Sequence, residues 1–130
     1  MPKEKATPID EDLHYVLYAD EFHILGFSII NQTSTGSITT QFRRFKAHFG
    51  IDWIVCSKLW VLLLPLFSDD NYNLAGTKMV HLLWTLMFLR LYDTEDILAA
   101  RVGVVEKTYQ KWVWLFIDLI SYLEVDLVSL

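Results

Sequence analysis

The segment TEDILAARVGVVEKTYQKW, residues 94–112, carries basic and amide residues at spacings that could serve DNA recognition. A lysine can contact guanine or phosphate, a glutamine can contact adenine, and a glutamate can accept from cytosine. An arginine at the end of the preceding helix can hold a phosphate. The candidate DNA-contacting residues of this segment are Arg101, Glu106, Lys107, Gln110 and Lys111.

The same segment contains the small and apolar residues that a helix-turn-helix requires. A small residue is needed where the two helices cross, and a glycine suits the turn because that position usually needs a positive φ. Ala99 is the small residue, and Gly103 follows four positions later. We expect the helix before them, residues 78–92, to complete a trihelical unit. The apolar positions around the turn are Leu98, Val102, Val104, Tyr109 and Trp112.

Two observations favour a simpler interpretation, in which two ordinary helices meet at a glycine. Helix–glycine–helix junctions are common in helical domains, and a polar outer face is usually only solvated. Residues 93–130 also carry seven acids against three cations, whereas DNA binding draws much of its strength from neutralised phosphates. Trp112 and Trp114 could form a stacking surface, but their helical spacing favours a core role.

Catalytic and metal chemistry find little support in the sequence. No Cys/His cluster has zinc spacing, and no glycine-rich phosphate loop is present. His81 lacks a second ligand at useful spacing and is predicted to be a buried or rim histidine, and Cys56 is predicted to be a small core residue. We interpret Asp118, Glu124 and Asp126 as solvated acids at a helix end. The sequence therefore predicts no enzyme, no metal and no cofactor.

The composition of the chain predicts a folded helical protein. Of its 130 residues, 53% are hydrophobic and 15% aromatic, and the net charge is −5. Charged residues and a proline interrupt every apolar stretch before it reaches the roughly 18 residues of a membrane helix, so no membrane span is expected. We predict an acidic, partly disordered N-terminal segment and linker over residues 1–40. Residues 41–130 would form the helical domain.

Apolar periodicity and turn residues place the elements of an all-α fold. Residues 13–30 are interpreted as a short helix or a loosely docked segment. Thr39 or Thr40 would cap a helix that stops at Gly50, and Asp52 would cap the next one, which ends at Pro65. A core helix over residues 78–92, one ending at Val102 and one over residues 105–123 complete the set.

Four blocks of the sequence resemble the N-terminal region of Harbinger-type transposase-like proteins, members of the DDE endonuclease superfamily. The blocks are FRRFKAHFGI with VCSKLW, KMVHLLWTLMFLRLYDTEDILA and GVVEKTYQKWVWLFIDLISYLE, and together they cover about residues 41–124. The resemblance implies a helical DNA-recognition domain that precedes an RNase-H-like catalytic domain. It implies DNA contacts at Arg43, Arg44 and Lys46 beside Lys107, Gln110 and Lys111.

The sequence does not continue into the acids of that catalytic domain and closes with EVDLVSL. We therefore expect a truncated or domesticated, non-enzymatic piece that binds double-stranded DNA and, by the resemblance, acts in the nucleus. Its protein partner would be a catalytic transposase supplied in trans or a second copy of the chain. The alternatives are a protein-interaction or dimerisation module and a functionless transposon remnant.

Overall fold

The computed structural model of the chain describes residues 8–31, 33, 35–68, 76–91 and 93–123. Within these ranges the fold is all-helical and contains no β-strand, which confirms the predicted class. A 3-10 turn, Leu64–Ser68, follows the third helix. The α-helices are α1 Pro8–Ile29, α2 Ile38–Phe49, α3 Trp53–Leu63, α4 Met79–Leu91, α5 Glu95–Val102 and α6 Glu106–Tyr122.

The helix ends of the central region follow local side-chain chemistry. The Asp52 carboxylate accepts from the backbone N–H groups of Ile54 and Val55, both at 2.9 Å, and so caps α3 as predicted. Gly50 ends α2 with a left-handed φ of 84°. The predicted cap of α2 was wrong, because Ser37 fills that position and its hydroxyl accepts from the N–H of Thr40. Thr39 and Thr40 lie in the first turn instead.

Helix α4 forms the centre of the fold, as its nearly uniform apolar sequence predicts. Its residues 81–87 are all buried. Helices α1, α2, α5 and α6 each pack against it. Residues 69–75, between the 3-10 turn and α4, lie outside the described residues.

Helix α1 belongs to the same core as the later helices. Phe22 is fully buried and meets the ring of Trp60 edge-on at 6.0 Å, while Phe27 lies 6.2 Å from Phe45. The predicted short or loosely docked element is thus a 22-residue helix, and the boundary drawn after residue 40 falls within the first turn of α2, inside one continuous core. The helical periodicity of the apolar residues in α1 was obscured in the sequence, because Ile24 is apolar but 64% exposed and lies between buried positions. Residues 1–7 lie outside the described part.

No single helix among the described residues is long and apolar enough to cross a bilayer. Helix α2 and the segment Trp53–Phe67 reach the required length and composition only when taken together, and they are bent by 51° at their junction.

A close approach between α1 and α2 depends on a glycine. Gly26 is buried on α1, and the Phe45 ring of α2 lies against it. A Cβ at residue 26 would lie 2.9 Å from both Cδ2 and Cζ of that ring and closer still to Cε2. Phe45 is itself fully buried and packed among Phe27, Phe49 and Trp53, so the ring cannot move away freely.

We predict that Gly26→Ala destabilises the protein, although alanine is ordinarily the better helix former by about 1 kcal/mol. Overpacking of a filled core costs about 1–3 kcal/mol, and contacts this short place the cost at the upper end of that range. After the helix-propensity gain is subtracted, the free energy of unfolding should fall by about 1–2 kcal/mol. Urea unfolding followed by tryptophan fluorescence measures the change. Ser28→Ala, at an exposed position of the same helix, is the control and should be neutral or stabilising. A gain in stability for Gly26→Ala would show that α1 and α2 are not in this contact.

Candidate nucleic-acid interface

Helices α5 and α6 are joined by a three-residue turn, Gly103 to Val105. Gly103 has φ 81° and ψ 29°, and its N–H donates to the carbonyl of Ala100 at 3.2 Å. The N–H of Val104 donates to the carbonyl of Ala99 at 3.0 Å, which completes a Schellman motif. No atom lies within 4 Å of where a Gly103 Cβ would be, so the backbone angle alone requires the glycine.

The apolar residues of this unit face α4. Leu98 and Ala99 of α5 are buried, as are Tyr109 and Trp112 of α6, while Val102 and Val104 beside the turn are half-buried. The Tyr109 hydroxyl donates to the carbonyl of Trp84 at 3.0 Å. Burial and the nearby Glu95 carboxylate raise the pKa of Tyr109. Helices α4, α5 and α6 therefore form one packed trihelical unit.

The outer face of α6 presents two lysines in its first two turns. Lys107 and Lys111 are exposed, and the Lys111 ammonium lies 4.5 Å from the centroid of the Trp112 ring. This cation–π contact holds the lysine close to the helix surface. Arg101 is exposed in the last turn of α5, where a cation complements the helix dipole. Glu106 is exposed at the start of α6.

Gln110 is less accessible than its position in the sequence suggests. Its side-chain amide donates to Glu95 at 3.0 Å and to Glu106 at 3.3 Å, and the residue is half-buried. The predicted adenine-reading amide is thus already hydrogen-bonded within the protein. The sequence did not indicate that Glu95, on α5, would contact α6, because this proximity arises only from the packing of the two helices.

Trp114 also hydrogen-bonds to Glu95. Its indole N–H donates to Oε2 of that residue at 2.6 Å, and its ring meets Phe88 edge-on at 5.8 Å. Trp114 is 53% exposed, so the predicted core role is wrong for this residue, whereas it is correct for Trp112. The two residues lie two positions apart and therefore point to nearly opposite sides of the helix.

The cations that the family resemblance implied lie on α2. Arg43 and Lys46 are exposed, and Arg44 is half-buried with its guanidinium donating to the carbonyl of Thr35 at 3.4 Å. Helices α2 and α6 each pack against α4, so different helices carry the two predicted sets of cations.

Arg90, in the last turn of α4, is a cation that the sequence analysis did not include among the site residues. It joins Arg43 and Lys46 around an open cleft of about 400 Å³, to which Phe42 and Ala47 also contribute. Its Nε donates to the carbonyl of Ala47 at 3.4 Å. The signal available in the sequence was that Arg90 is a charged residue near the end of an otherwise apolar helix. The packing of α2 on α4, which the sequence does not show, brings Arg90 close to Arg43 and Lys46.

Apart from His81, the residues considered for catalysis or metal binding are one cysteine and three acids. Cys56 is buried, and burial raises the pKa of its thiol. Asp118 is exposed, and Glu124 and Asp126 lie outside the described residues. No group of three or more His, Cys, Asp or Glu residues that could hold a metal ion occurs among the residues that the structure describes.

His81, on α4, is buried against α6. Its ring stacks on Trp112 with 4.0 Å between centroids and 8° between planes, and its Nδ1 accepts from the N–H of Lys78 at 3.0 Å. Burial is the largest cause that lowers the pKa of His81, to about 4, and the charges of Lys78 and Lys111 lower it further. The imidazole is therefore neutral at pH 7. Its Nδ1 accepts a hydrogen bond, and the ring adds no positive charge to this face.

We predict that protonation of His81 destabilises the fold. Its pKa is lower in the folded state than in the unfolded chain, so its contribution to stability is complete above pH 6.5 and is lost as the pH falls towards 4. The loss should be on the order of 2 kcal/mol, discounted for partial solvent screening. NMR titration of the imidazole signals of His81 measures the pKa directly. A His81 signal that titrates near pH 6.5 would contradict the prediction.

Comparison of the chain with protein-family models, with curated proteins and with solved structures gives no match. The resemblance to Harbinger-type transposase-like proteins therefore stays a prediction.

Proposed function

We propose that this chain is a non-enzymatic module that binds duplex DNA, with α6 docking in the major groove. The observation that carries the proposal is the trihelical unit with its Schellman turn at Gly103, which leaves Lys107 and Lys111 exposed on the first turns of the second helix. Those turns are the part of a helix-turn-helix that reaches base edges and phosphates. The proposal includes the transposase-like origin and nuclear location that the resemblance implies.

Within this proposal the cations and the amide have different roles. Lys107 and Lys111 neutralise phosphates or contact guanine, and Arg101 contacts a phosphate beside the groove. Gln110 reads a base only after its amide exchanges Glu95 and Glu106 for a base edge. We therefore assign most of the affinity to the lysines and treat Glu95 as a carboxylate that weakens binding, because it adds negative charge beside a polyanion.

Lys107→Ala combined with Lys111→Ala should weaken DNA binding about tenfold or more and lower the salt dependence by about two charges. Fluorescence anisotropy of the full chain with labelled random duplex, at several salt concentrations, measures both quantities. Lys58→Ala is the control, because it removes a lysine from α3, which is not one of the three helices of the trihelical unit. Salt-sensitive binding that survives the double substitution would exclude docking through α6.

Glu95→Gln should strengthen DNA binding about threefold, because it removes one negative charge from the face of α6. The substituted amide retains an oxygen that can accept from the Trp114 indole, while its NH2 group replaces the oxygen that accepts from Gln110 and so releases the Gln110 amide. The measurement is the same anisotropy titration, and Glu21→Gln, an exposed acid on α1, is the matched control. Equal gains for the two variants would indicate only an effect of net charge, and no gain for Glu95→Gln would place α6 away from the DNA.

A specific observation also supports the second candidate function, a protein-interaction module. Trp114 is 53% exposed and packs beside Phe88 of α4. Leu89, which follows Phe88 on α4, is 42% exposed. Tryptophan is enriched at the centres of protein interfaces. This function predicts association that is indifferent to the Lys107 and Lys111 substitutions, so the titration of the double variant separates the two candidates.

A further inference from the structure

We infer that the cleft formed by Arg43, Lys46 and Arg90 binds a backbone phosphate of duplex DNA, as a second contact separate from α6. The inference rests on the proposed function and extends it, because it adds Arg90 and assigns the α2 cations to one site. The cleft is a concave surface of about 400 Å³ between α2 and α4, open to solvent.

The three cations are positioned by both helices. Arg43 and Lys46 are three residues apart on α2 and therefore lie on one side of that helix. Arg90 reaches the same place from α4. Its aliphatic stem lies over Gly50, with Cδ 3.8 Å from where a Gly50 Cβ would be, and its Nε donates to the Ala47 carbonyl at 3.4 Å. The guanidinium is thus held beside the last turn of α2.

Among the described residues, the cations of the cleft have no carboxylate counter-charge. The sequence contains no aspartate or glutamate from Phe22 to Ile51. In the part of the chain that the structure describes, none of the three forms an ion pair with a carboxylate. The α6 surface differs, since Glu95 and Glu106 lie among its polar residues. A phosphate entering the cleft therefore displaces water and counterions rather than a protein carboxylate.

The chemistry of the cleft fits a phosphodiester. Arginine presents parallel N–H donors that match two phosphate oxygens, and lysine adds a compact charge. The last-turn carbonyls of α2 would repel an anion, but Arg90 already donates to one of them. The cleft is also open, as a site for a long polymer must be. With a net charge of −5, the chain needs such a local cationic site to hold a polyanion.

The test compares two cleft variants of the full chain, Arg90→Gln and Arg43→Gln/Lys46→Gln. Lys58→Gln is the matched control, because it removes one charge from α3, which contributes no residue to the cleft or to the trihelical unit. Anisotropy with random duplex over a salt series should show a salt slope lowered by about one for Arg90→Gln and by about two for the double variant. Lys58→Gln should leave the slope nearly unchanged. Thermal unfolding by circular dichroism verifies that each variant is folded at the titration temperature.

A second measurement reads the cleft directly in the unaltered protein. The NMR signal of the Arg90 Nε–H should shift on addition of duplex. Inorganic phosphate at matched ionic strength is the comparison, and it should produce a smaller shift because it lacks the other contacts of the polymer. A purely structural Arg90, which only caps α2, would not respond to duplex.

The outcomes distinguish failure of the cleft from failure of the proposed function. Weaker binding for the Lys107 and Lys111 variant, with unchanged slopes for the cleft variants, overturns the cleft and leaves docking through α6 in place. The reverse pattern supports the cleft and overturns docking through α6. If the unaltered chain shows no salt-sensitive binding to duplex, both fail, and an Arg90 shift with inorganic phosphate alone would reassign the cleft to a small anion.

Discussion

Burial of seven consecutive residues, His81 to Met87, is the constraint on which the rest of the structure depends. A helix that is apolar around its circumference must be covered from several sides, and α4 is packed against α1, α2, α5 and α6. The trihelical unit exists because α5 and α6 cover one side of α4. The cleft exists because α2 covers another, so both proposed DNA contacts are built on the same central helix.

The sequence was sufficient for features that depend on local chemistry. The positions of α2 to α6, the cap at Asp52 and the left-handed glycines at 50 and 103 follow from residue type and spacing. The length and burial of α1 were underestimated from the sequence. Ile24 is an exposed apolar residue among buried ones, so it obscures the helical periodicity of the apolar residues. Ser37 caps α2 in place of the expected threonine. Several neighbouring hydroxyl residues could accept from the first N–H groups of the helix, and the backbone angles decide which of them does.

The site was less predictable than the fold, because its electrostatics depend on pairs of residues that are distant in the sequence. Gln110 and Trp114 both hydrogen-bond to Glu95, which lies 15 and 19 positions earlier in the chain. Arg90 meets Ala47 across 43 positions. No periodicity encodes such pairings. Residues 31–92 carry six cations against three acids, and the cleft gives part of that excess a definite location.

The contact between Gly26 and Phe45 has a consequence for the geometry of α2. The Phe45 ring occupies the space that a side chain at residue 26 would fill. Sliding α2 along α1 by about one turn would bring the ring against the side chains that share this face of α1, those of Phe22 and His23 or of Ile29. This contact therefore contributes to the axial register and the rotation of α2, together with the packing of α2 on α4. Arg43 and Lys46 lie close to Phe45 in the chain, so their direction around the helix depends on the same contact. A residue on α1 that lines no part of the cleft thereby helps to set where two of its cations point.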